Sequence, residues 1–494
     1  ASFVINHQQA KQQKHVFQRT TRSMADADGD EEMAEAPQQQ QVEPLQEPVY
    51  TGGVFTSESQ GAGAPVPYTI GLKDMLNGGI TSCSLRSIVC TAFSGVSWAS
   101  EDAHFLRGQI AALRDAGAIS MANSGDVDVS VVLGATDWTS NVVNDRYLLV
   151  RREGDNFGSN GKGRTTPRIT VYRAAACAGG GVQHSKATIL EFDGDLLRVV
   201  VATASPNNNF LSSGNFFFPF DFKPRPIDDD GQSSYPFGEK LVRFFGAVCK
   251  KNDQDQDSTP FLLVKSFVQR MYVVDAPGSY LLMNAPHVAG VSLPAPAGAG
   301  GERIEHGAFG IHMLEELQEA VAKHCGPFDG TWGASHLMML SPSLPPTAER
   351  TVALLCAISE ACSPDAAARV PVSFLAISKG DAVAWDLPTG DISLYSEQNL
   401  QRESLDALHR KGWLRKFEKK DDHPAYKREW HGNFIARAND RGRGWIFITS
   451  ARLTDPAWRG KNAELGVLLV RLPCVFRVPR ASPVAAQVDV NVQD

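Results

Sequence analysis

Long apolar runs are absent from this 494-residue chain. None reaches the roughly 18–20 residues that a helix needs to cross a bilayer, so no membrane partner is expected. Cys-x-x-Cys pairs are absent as well. The eight cysteines are Cys83, Cys90, Cys177, Cys249, Cys325, Cys356, Cys362 and Cys474. Most sit in apolar runs, which fits buried free thiols in a reducing compartment and argues against a metal site. Positive charge is not in excess. A formal net charge of −7 excludes wholesale coating of nucleic acid but leaves room for a locally basic groove. No glycine stands five before Gly161, so Gly158-Ser-Asn-Gly-Lys162-Gly lacks phosphate-loop spacing. Residues 152–168 read instead as a mobile basic loop. Acids are missing from residues 1–23, which carry Lys11, Lys14, Arg19 and Arg22. That stretch fits a mitochondrial or other organelle address, and it fits equally well as sequence upstream of a start at Met24.

A chain this long needs two cores or two fused halves. Hydrophobic content of 43% and charged content of 21% describe a soluble globular protein. Residues 1–60 are rich in Gln, Glu, Ala and Pro and are expected to be disordered. Order is expected from near Pro67. Helices are predicted over 70–76, 105–116, 309–325 and 348–362. Strands are predicted over 87–93, 127–133, 338–340 and 372–377. Strands alternating with helices over short connections point to an α/β sandwich. Pro294-Ala-Pro-Ala-Gly-Ala-Gly-Gly301 reads as a flexible join. The expected organisation is therefore an N-terminal half over 67–293, a C-terminal half over 302–475 and a tail over 476–494.

Within these halves two segments repeat in register. His184-Ser-Lys186 opens an apolar run, a polar turn follows, and Val199-Val-Val-Ala-Thr203-Ala-Ser205 closes the unit. His431-Gly-Asn433 opens another, which closes with Ile446-Phe-Ile-Thr-Ser450-Ala-Arg452. From His184 to His431 is 247 residues, and Ser205 and Arg452 each stand 21 residues after their histidine. Two histidines on equivalent strands can meet at one pseudo-two-fold axis. Such a pair suits in-line phosphoryl transfer, one imidazole acting as nucleophile and the other as proton donor. The expected fold is thus α/β, two pseudo-symmetric sandwich halves with the histidine strands side by side and the second repeat closing its sheet.

These residues carry a family resemblance. His184-x-Lys186 followed by Leu197-Arg-Val-Val-Val-Ala-Thr203 resembles the first motif of tyrosyl-DNA phosphodiesterases, a branch of the phospholipase D superfamily. Trp445-Ile-Phe-Ile-Thr-Ser-Ala451-x-Leu453 with Ala457-Trp458-x-Gly460 resembles the second motif, and Glu464-Leu-Gly-Val-Leu the strand after it. Phe237-Gly-Glu-Lys-Leu-Val-Arg-Phe-Phe and His306-Gly-Ala-Phe-Gly-Ile-His-Met-Leu resemble further family helices. The resemblance covers roughly residues 67–475. It implies hydrolysis of phosphodiesters at DNA 3′ ends that carry a tyrosyl or peptide adduct, in repair and in the nucleus. It implies a monomer that needs no metal or other cofactor. His184 matches the nucleophile, His431 the general acid and base, Lys186 the first lysine, and Glu464 a glutamate that orients an imidazole. Ser205, Asn433 and Arg452 stand where the family has asparagine, lysine and asparagine.

The second-half changes read as an exchange. One cation and one amide remain, with their positions swapped, and a guanidinium suits phosphate. Ser205 keeps one hydroxyl, with Asn207 or Asn208 close by in sequence. The serine turn of the family's second half is replaced around Gly333-Ala-Ser335-His336. Gly179-Gly-Gly-Val-Gln183 lacks the aromatic on which a base would stack. Two rival readings follow. A non-catalytic relative would keep the fold and bind nucleic acid or a protein. A lipid-directed or general nuclease would carry H-x-K-x-x-x-x-D, but positions 191 and 438 are Glu and Ala.

Overall fold

The computed structural model describes residues 50, 52, 54–57, 69–70, 85–92, 128–134, 148–149, 168–174, 181–193, 195–203, 215–226, 228–229, 235–249, 259–285, 312–326, 335–363, 371–376, 402–416, 432–439, 443–470 and 482–483. The predicted helix over 105–116, most of that over 70–76, the basic loop 152–168 apart from Arg168, and the join 294–301 lie outside them.

Nine strands form the first sheet. They are β1 (Phe55–Ser57), β2 (Thr69–Ile70), β3 (Leu85–Ala92), β4 (Asp128–Leu133), β5 (Leu148–Leu149), β6 (Arg168–Arg173), β7 (Ala187–Phe192), β8 (Leu196–Ala202) and β9 (Phe216–Phe222). Their order is β2-β1-β9-β8-β7-β3-β4-β6-β5. Eight form the second: β10 (Ser279–Asn284), β11 (Ser335–Leu340), β12 (Val372–Ala376), β13 (Leu414–Lys416), β14 (Phe434–Asn439), β15 (Gly444–Thr449), β16 (Glu464–Val470) and β17 (Ser482–Pro483). That order is β10-β16-β15-β14-β11-β12-β13-β17.

The two sheets repeat one plan. β9, β8, β7 and β3 run antiparallel in turn, and β3, β4 and β6 are parallel. β16, β15, β14 and β11 are likewise antiparallel, and β11, β12 and β13 parallel. Each repeat thus forms a central antiparallel hairpin, β7–β8 or β14–β15. The second repeat lies mid-sheet rather than closing it.

Strand alternation divides the core. In β8, Val199 and Val201 face one way; in β9, Phe216, Phe218, Phe220 and Phe222 do the same. They share a cluster with Ile446, Ile448, Leu465 and Val467 of the second sheet. β8 and β9 touch β15 and β16 directly. The histidine hairpins therefore belong to separate sheets that meet face to face, which corrects the expectation of adjacent strands. The cause is that β15 and β16 are apolar on both faces. Trp445, Phe447 and Leu468 point away from the first sheet, into a second cluster. Complete burial of one such side chain contributes roughly 1.5–3 kcal/mol.

Helices fill the remaining sides. α1 (Pro236–Cys249) and α2 (Thr259–Ser266) pack into the shared cluster. On α1, Phe237, Leu241, Phe244, Phe245 and Val248 form an apolar stripe at helical spacing. A short π-helical turn, Phe267–Met271, follows α2. α3 (Met313–His324), α4 (Ala348–Ala361) and α5 (Arg402–Arg410) contribute to the second cluster, as does the single turn α6 (Asp455–Trp458). Lys240 of α1 reaches Glu316 of α3 at 2.6 and 2.7 Å, tying the halves together. No helix among the described residues is long and apolar enough to cross a membrane.

Two boundaries differ from the sequence reading. Part of the 1–60 segment is a strand: β1 pairs with β9, while the Asp221 N–H donates to the Tyr50 carbonyl at 2.8 Å and the Tyr50 N–H donates to the Asp221 carboxylate at 3.1 Å. The open edge of β9 supplies the missing partners, and composition does not reveal this. The chain also enters the second sheet before the Pro-Ala-Gly join. β10 pairs with β16 over all six of its residues, although it falls within 67–293. Leu45–Asp494 forms one unit, because the sheets share a core.

Candidate active site

The site begins where β7 and β16 start. Gln183 bridges Ala463 in parallel. The His184 N–H donates to the Ala463 carbonyl at 2.8 Å, and the Ala463 N–H donates to the Val182 carbonyl at 2.9 Å. This short zipper between the halves fixes the entry to each strand. One residue after Ala463 comes Glu464, fully buried, with Oε2 3.0 Å from His184 Nδ1. Gly134, at the end of β4, makes the approach possible: a Cβ there would stand 1.9 Å from the Gln183 carbonyl oxygen.

Residues two apart on extended chain share a side. Lys186 accordingly lies with His184. Its Nζ donates to the His184 carbonyl at 2.8 Å and stands 3.2 Å from both ring nitrogens. Both side chains are buried. Glu464 has further donors: Ser450 Oγ reaches Oε2 at 2.5 Å, and Asn462 Nδ2 reaches Oε1 at 3.2 Å.

Electrostatics sort the protons. Burial pushes the His184 imidazole down to about 4; Glu464 opposes this, while Lys186 and Arg452 add to it. Burial pushes Lys186 down to about 7, again opposed by Glu464 and helped by Arg452. Burial alone would raise Glu464, but His184, Lys186 and the Ser450 hydroxyl outweigh it, and the carboxylate lies below its ordinary range. At neutral pH the pair is therefore a carboxylate beside a neutral imidazole. The 3.0 Å contact then requires the proton on Nδ1, and Nε2 keeps its lone pair. That is the state of an imidazole able to act as nucleophile.

The second half supplies Asn433 where the first has Lys186. The match is exact in backbone terms: the Ala202 N–H donates to the Lys186 carbonyl, and the Thr449 N–H to the Asn433 carbonyl. Asn433 is buried. Its Oδ1 accepts from Ser341 Oγ at 2.9 Å, and its Nδ2 has no hydrogen-bond partner among the described residues. Ser341 Oγ also accepts the Leu453 N–H at 3.0 Å. Arg452 donates to Ser343 Oγ at 3.3 Å, and Trp458 Nε1 holds the Arg452 carbonyl at 3.0 Å. Burial lowers the Arg452 guanidinium and Glu464 opposes the shift, so this cation shares the field of Glu464, His184 and Lys186.

Of the residues named from sequence, the structure brings His184, Lys186, Glu464 and Arg452 into one charged cluster, with Asn433 joined to it through Ser341. His431 and Ser205 lie outside the described residues. Gly432, next to His431, is pressed against the other half: a Cβ there would stand 2.4 Å from the Phe216 ring. The serine turn is corrected. Ser335 and His336 open β11 and bond Arg437 and Ser373 there, at the end away from Asn433. The serines beside Asn433 and Arg452 are Ser341 and Ser343, just past the other end of the same strand. Sequence reading also missed Gln183, Asn462, Ser450 and Asn215. A signal existed for Ser450, since a hydroxyl stands 19 residues after each histidine, at Thr203 and at Ser450. Asn215 is visible only in the register. Ala202 faces Phe217 as Thr449 faces Gly466, which places buried Asn215 where the second half has Glu464.

Solved structures with this architecture are known. The crystal structure of yeast tyrosyl-DNA phosphodiesterase matches 85% of this chain over 90% of its own length, at 12% identity and a TM-score of 0.52. A mutant of the same yeast enzyme matches 87% of this chain over 90% of its own, at 12% identity and a TM-score of 0.53. The chain therefore has the two-half phospholipase D-like fold. No protein-family model and no curated protein matches its sequence.

Proposed function

We propose that this chain is a phosphodiesterase of the tyrosyl-DNA phosphodiesterase type. The observation that carries the reading is His184, its Nδ1 3.0 Å from the buried Glu464 carboxylate, in one cluster with buried Lys186 and half-buried Arg452. His184 Nε2 attacks phosphorus, a P–N bond forms, and the P–O bond to the tyrosyl oxygen breaks. His431 gives that oxygen its proton. His431 then takes a proton from water, which displaces His184 and releases a 3′ phosphate. Charge grows on the non-bridging oxygens during both steps, where Lys186 and Arg452 act as cations and Asn433 Nδ2 as a neutral donor. Ser205 supplies a hydroxyl on the first side. The fold shared with the yeast enzyme, which is named for tyrosyl-DNA, supports a DNA 3′ end with a covalent tyrosyl or peptide adduct as substrate. Action in DNA repair, as a monomer in the nucleus, belongs to the same proposal.

The test is hydrolysis of a single-stranded oligonucleotide carrying a 3′ phosphotyrosine, with EDTA present, by wild type and His184→Ala. Turnover that requires His184 supports the proposal. Asn433 in place of a lysine favours one rival, a non-catalytic relative that binds nucleic acid. Tight binding of the same oligonucleotide without turnover would select that reading.

A further inference from the structure

The carboxylate that faces His184 is held from behind by a hydroxyl. Ser450 follows β15 and is fully buried. Its backbone N–H donates to the Leu465 carbonyl at 2.9 Å, and its Oγ accepts the Leu465 N–H at 3.1 Å. The hydroxyl proton goes to Glu464 Oε2 at 2.5 Å, the same oxygen that stands 3.0 Å from His184 Nδ1.

The first half contains the same device. The Thr203 N–H donates to the Phe216 carbonyl at 3.0 Å, and Thr203 Oγ1 accepts the Phe216 N–H at 3.0 Å. Thr203 Oγ1 then stands 3.5 Å from Asn215 Oδ1, the register counterpart of Glu464. The backbone part of this pattern is ordinary strand-end chemistry for a hydroxyl. The side-chain part is more specific. In both halves the hydroxyl stands beside the residue at the start of the next strand, a carboxylate on one side and an amide on the other.

Resting on the phosphodiesterase reading, we propose that Ser450 is a positioning residue for the nucleophile, its hydroxyl locking Glu464 against His184 Nδ1 so that Nε2 presents its lone pair to phosphorus. The surroundings explain why a lock is needed. Three charged or titratable groups compete for this carboxylate: His184 and Lys186 at the entry to β7, and Arg452 two residues past Ser450. Asn462 pulls on the opposite oxygen. Without Ser450, the imidazole is the one contact left to Oε2 among the described residues, and nothing on that oxygen opposes the pull of Lys186. His184 then loses the acceptor that fixes its tautomer.

The experiment compares wild type, Ser450→Ala and Ser450→Thr. Single-turnover formation of the adduct is followed from pH 4 to 9 with the 3′-phosphotyrosyl oligonucleotide. In parallel, nitrogen-15 NMR of labelled histidine, assigned with His184→Ala, reads the His184 Nδ1–H. Ser450→Ala is expected to slow adduct formation about ten- to hundredfold, with KM within about twofold. The Glu464–His184 pair then gains its proton at higher pH, so the acid limb moves up by about one unit, and the Nδ1–H signal broadens or disappears. Ser450→Thr, which copies Thr203, restores all three. A wild-type acid limb and an intact Nδ1–H signal in Ser450→Ala overturn the proposal. So does a loss that threonine does not restore, because that marks a packing role. The NMR comparison needs no turnover: a Nδ1–H that depends on Ser450 upholds the positioning role even if the oligonucleotide is not cleaved.

Discussion

Glu464→Gln is the substitution with the most to lose. Glu464 Oε2 receives Ser450 and faces His184, while Oε1 receives Asn462 Nδ2. Every neighbour on both oxygens is a donor. A glutamine has one acceptor oxygen, so one side must face an NH2 group. If that side is Asn462, two donors oppose each other. If it is His184, the imidazole must flip its tautomer and turn Nε2 into a donor. Loss of a charge-assisted hydrogen bond costs about 1.5–3 kcal/mol, or roughly 10- to 150-fold. A wrong tautomer in a comparable histidine–carboxylate pair costs about 10⁴. Adduct formation in Glu464→Gln should therefore fall by about 10²–10⁴. The deficit should widen as pH rises through neutrality. Glu464 is the group that raises Lys186 against its burial, so without it Lys186 loses its proton at lower pH. Quench-flow measurement of the single turnover from pH 5.5 to 8.5 supplies the comparison, with circular dichroism to show that the variant is folded. A folded Glu464→Gln with the wild-type rate and profile would refute the tautomer argument.

Two further outcomes follow from the same geometry. If the cation has moved from position 433 to position 452, Arg452→Ala should lower turnover at least as much as Lys186→Ala; an Arg452→Ala enzyme of wild-type kcat would sink the exchange. Lys186 also sets a pH dependence of stability. Its folded value of about 7 lies below an unfolded value near 10.5, so the unfolded chain binds more protons between these limits. Stability is greatest above the upper limit and is lost as pH falls toward 7, by at most about 5 kcal/mol. Urea unfolding at pH 7, 8.5 and 10 should show this rise in wild type and a flatter profile in Lys186→Met. Parallel profiles would contradict the burial of a charged lysine.

Much of this was legible in the sequence because the fold is written twice. The apolar periods of β7–β8 and β14–β15 mark hairpins wherever they occur, and equal spacing to Ser205 and Arg452 makes the two hairpins one motif. Strands β3, β4, β11 and β12 and helices α3 and α4 follow from local pattern. The strand changes that build the interface do not. β10 joins the second sheet because β16 presents a matching edge, a non-local fact. β1 is three residues long and gains its meaning only from β9. Asn215 became visible through strand register, which depends on hairpin length and not on residue type. Ser341 and Ser343 were missed for a related reason. A serine turn was sought at the beginning of β11, whereas antiparallel pairing with β14 carries Asn433 to the end of that strand.

The most direct measurement is capture of the covalent intermediate. His431→Ala is incubated with the 3′-phosphotyrosyl oligonucleotide, quenched under alkaline conditions that preserve phosphohistidine, and digested for mass spectrometry. With its proton donor and water activator removed, the enzyme should form the adduct and fail to resolve it. A phosphodeoxynucleotide mass on the peptide containing His184, absent from His184→Ala, is the predicted result. An adduct on another residue, or none at high enzyme while the oligonucleotide remains bound, would contradict the assignment of His184 as nucleophile.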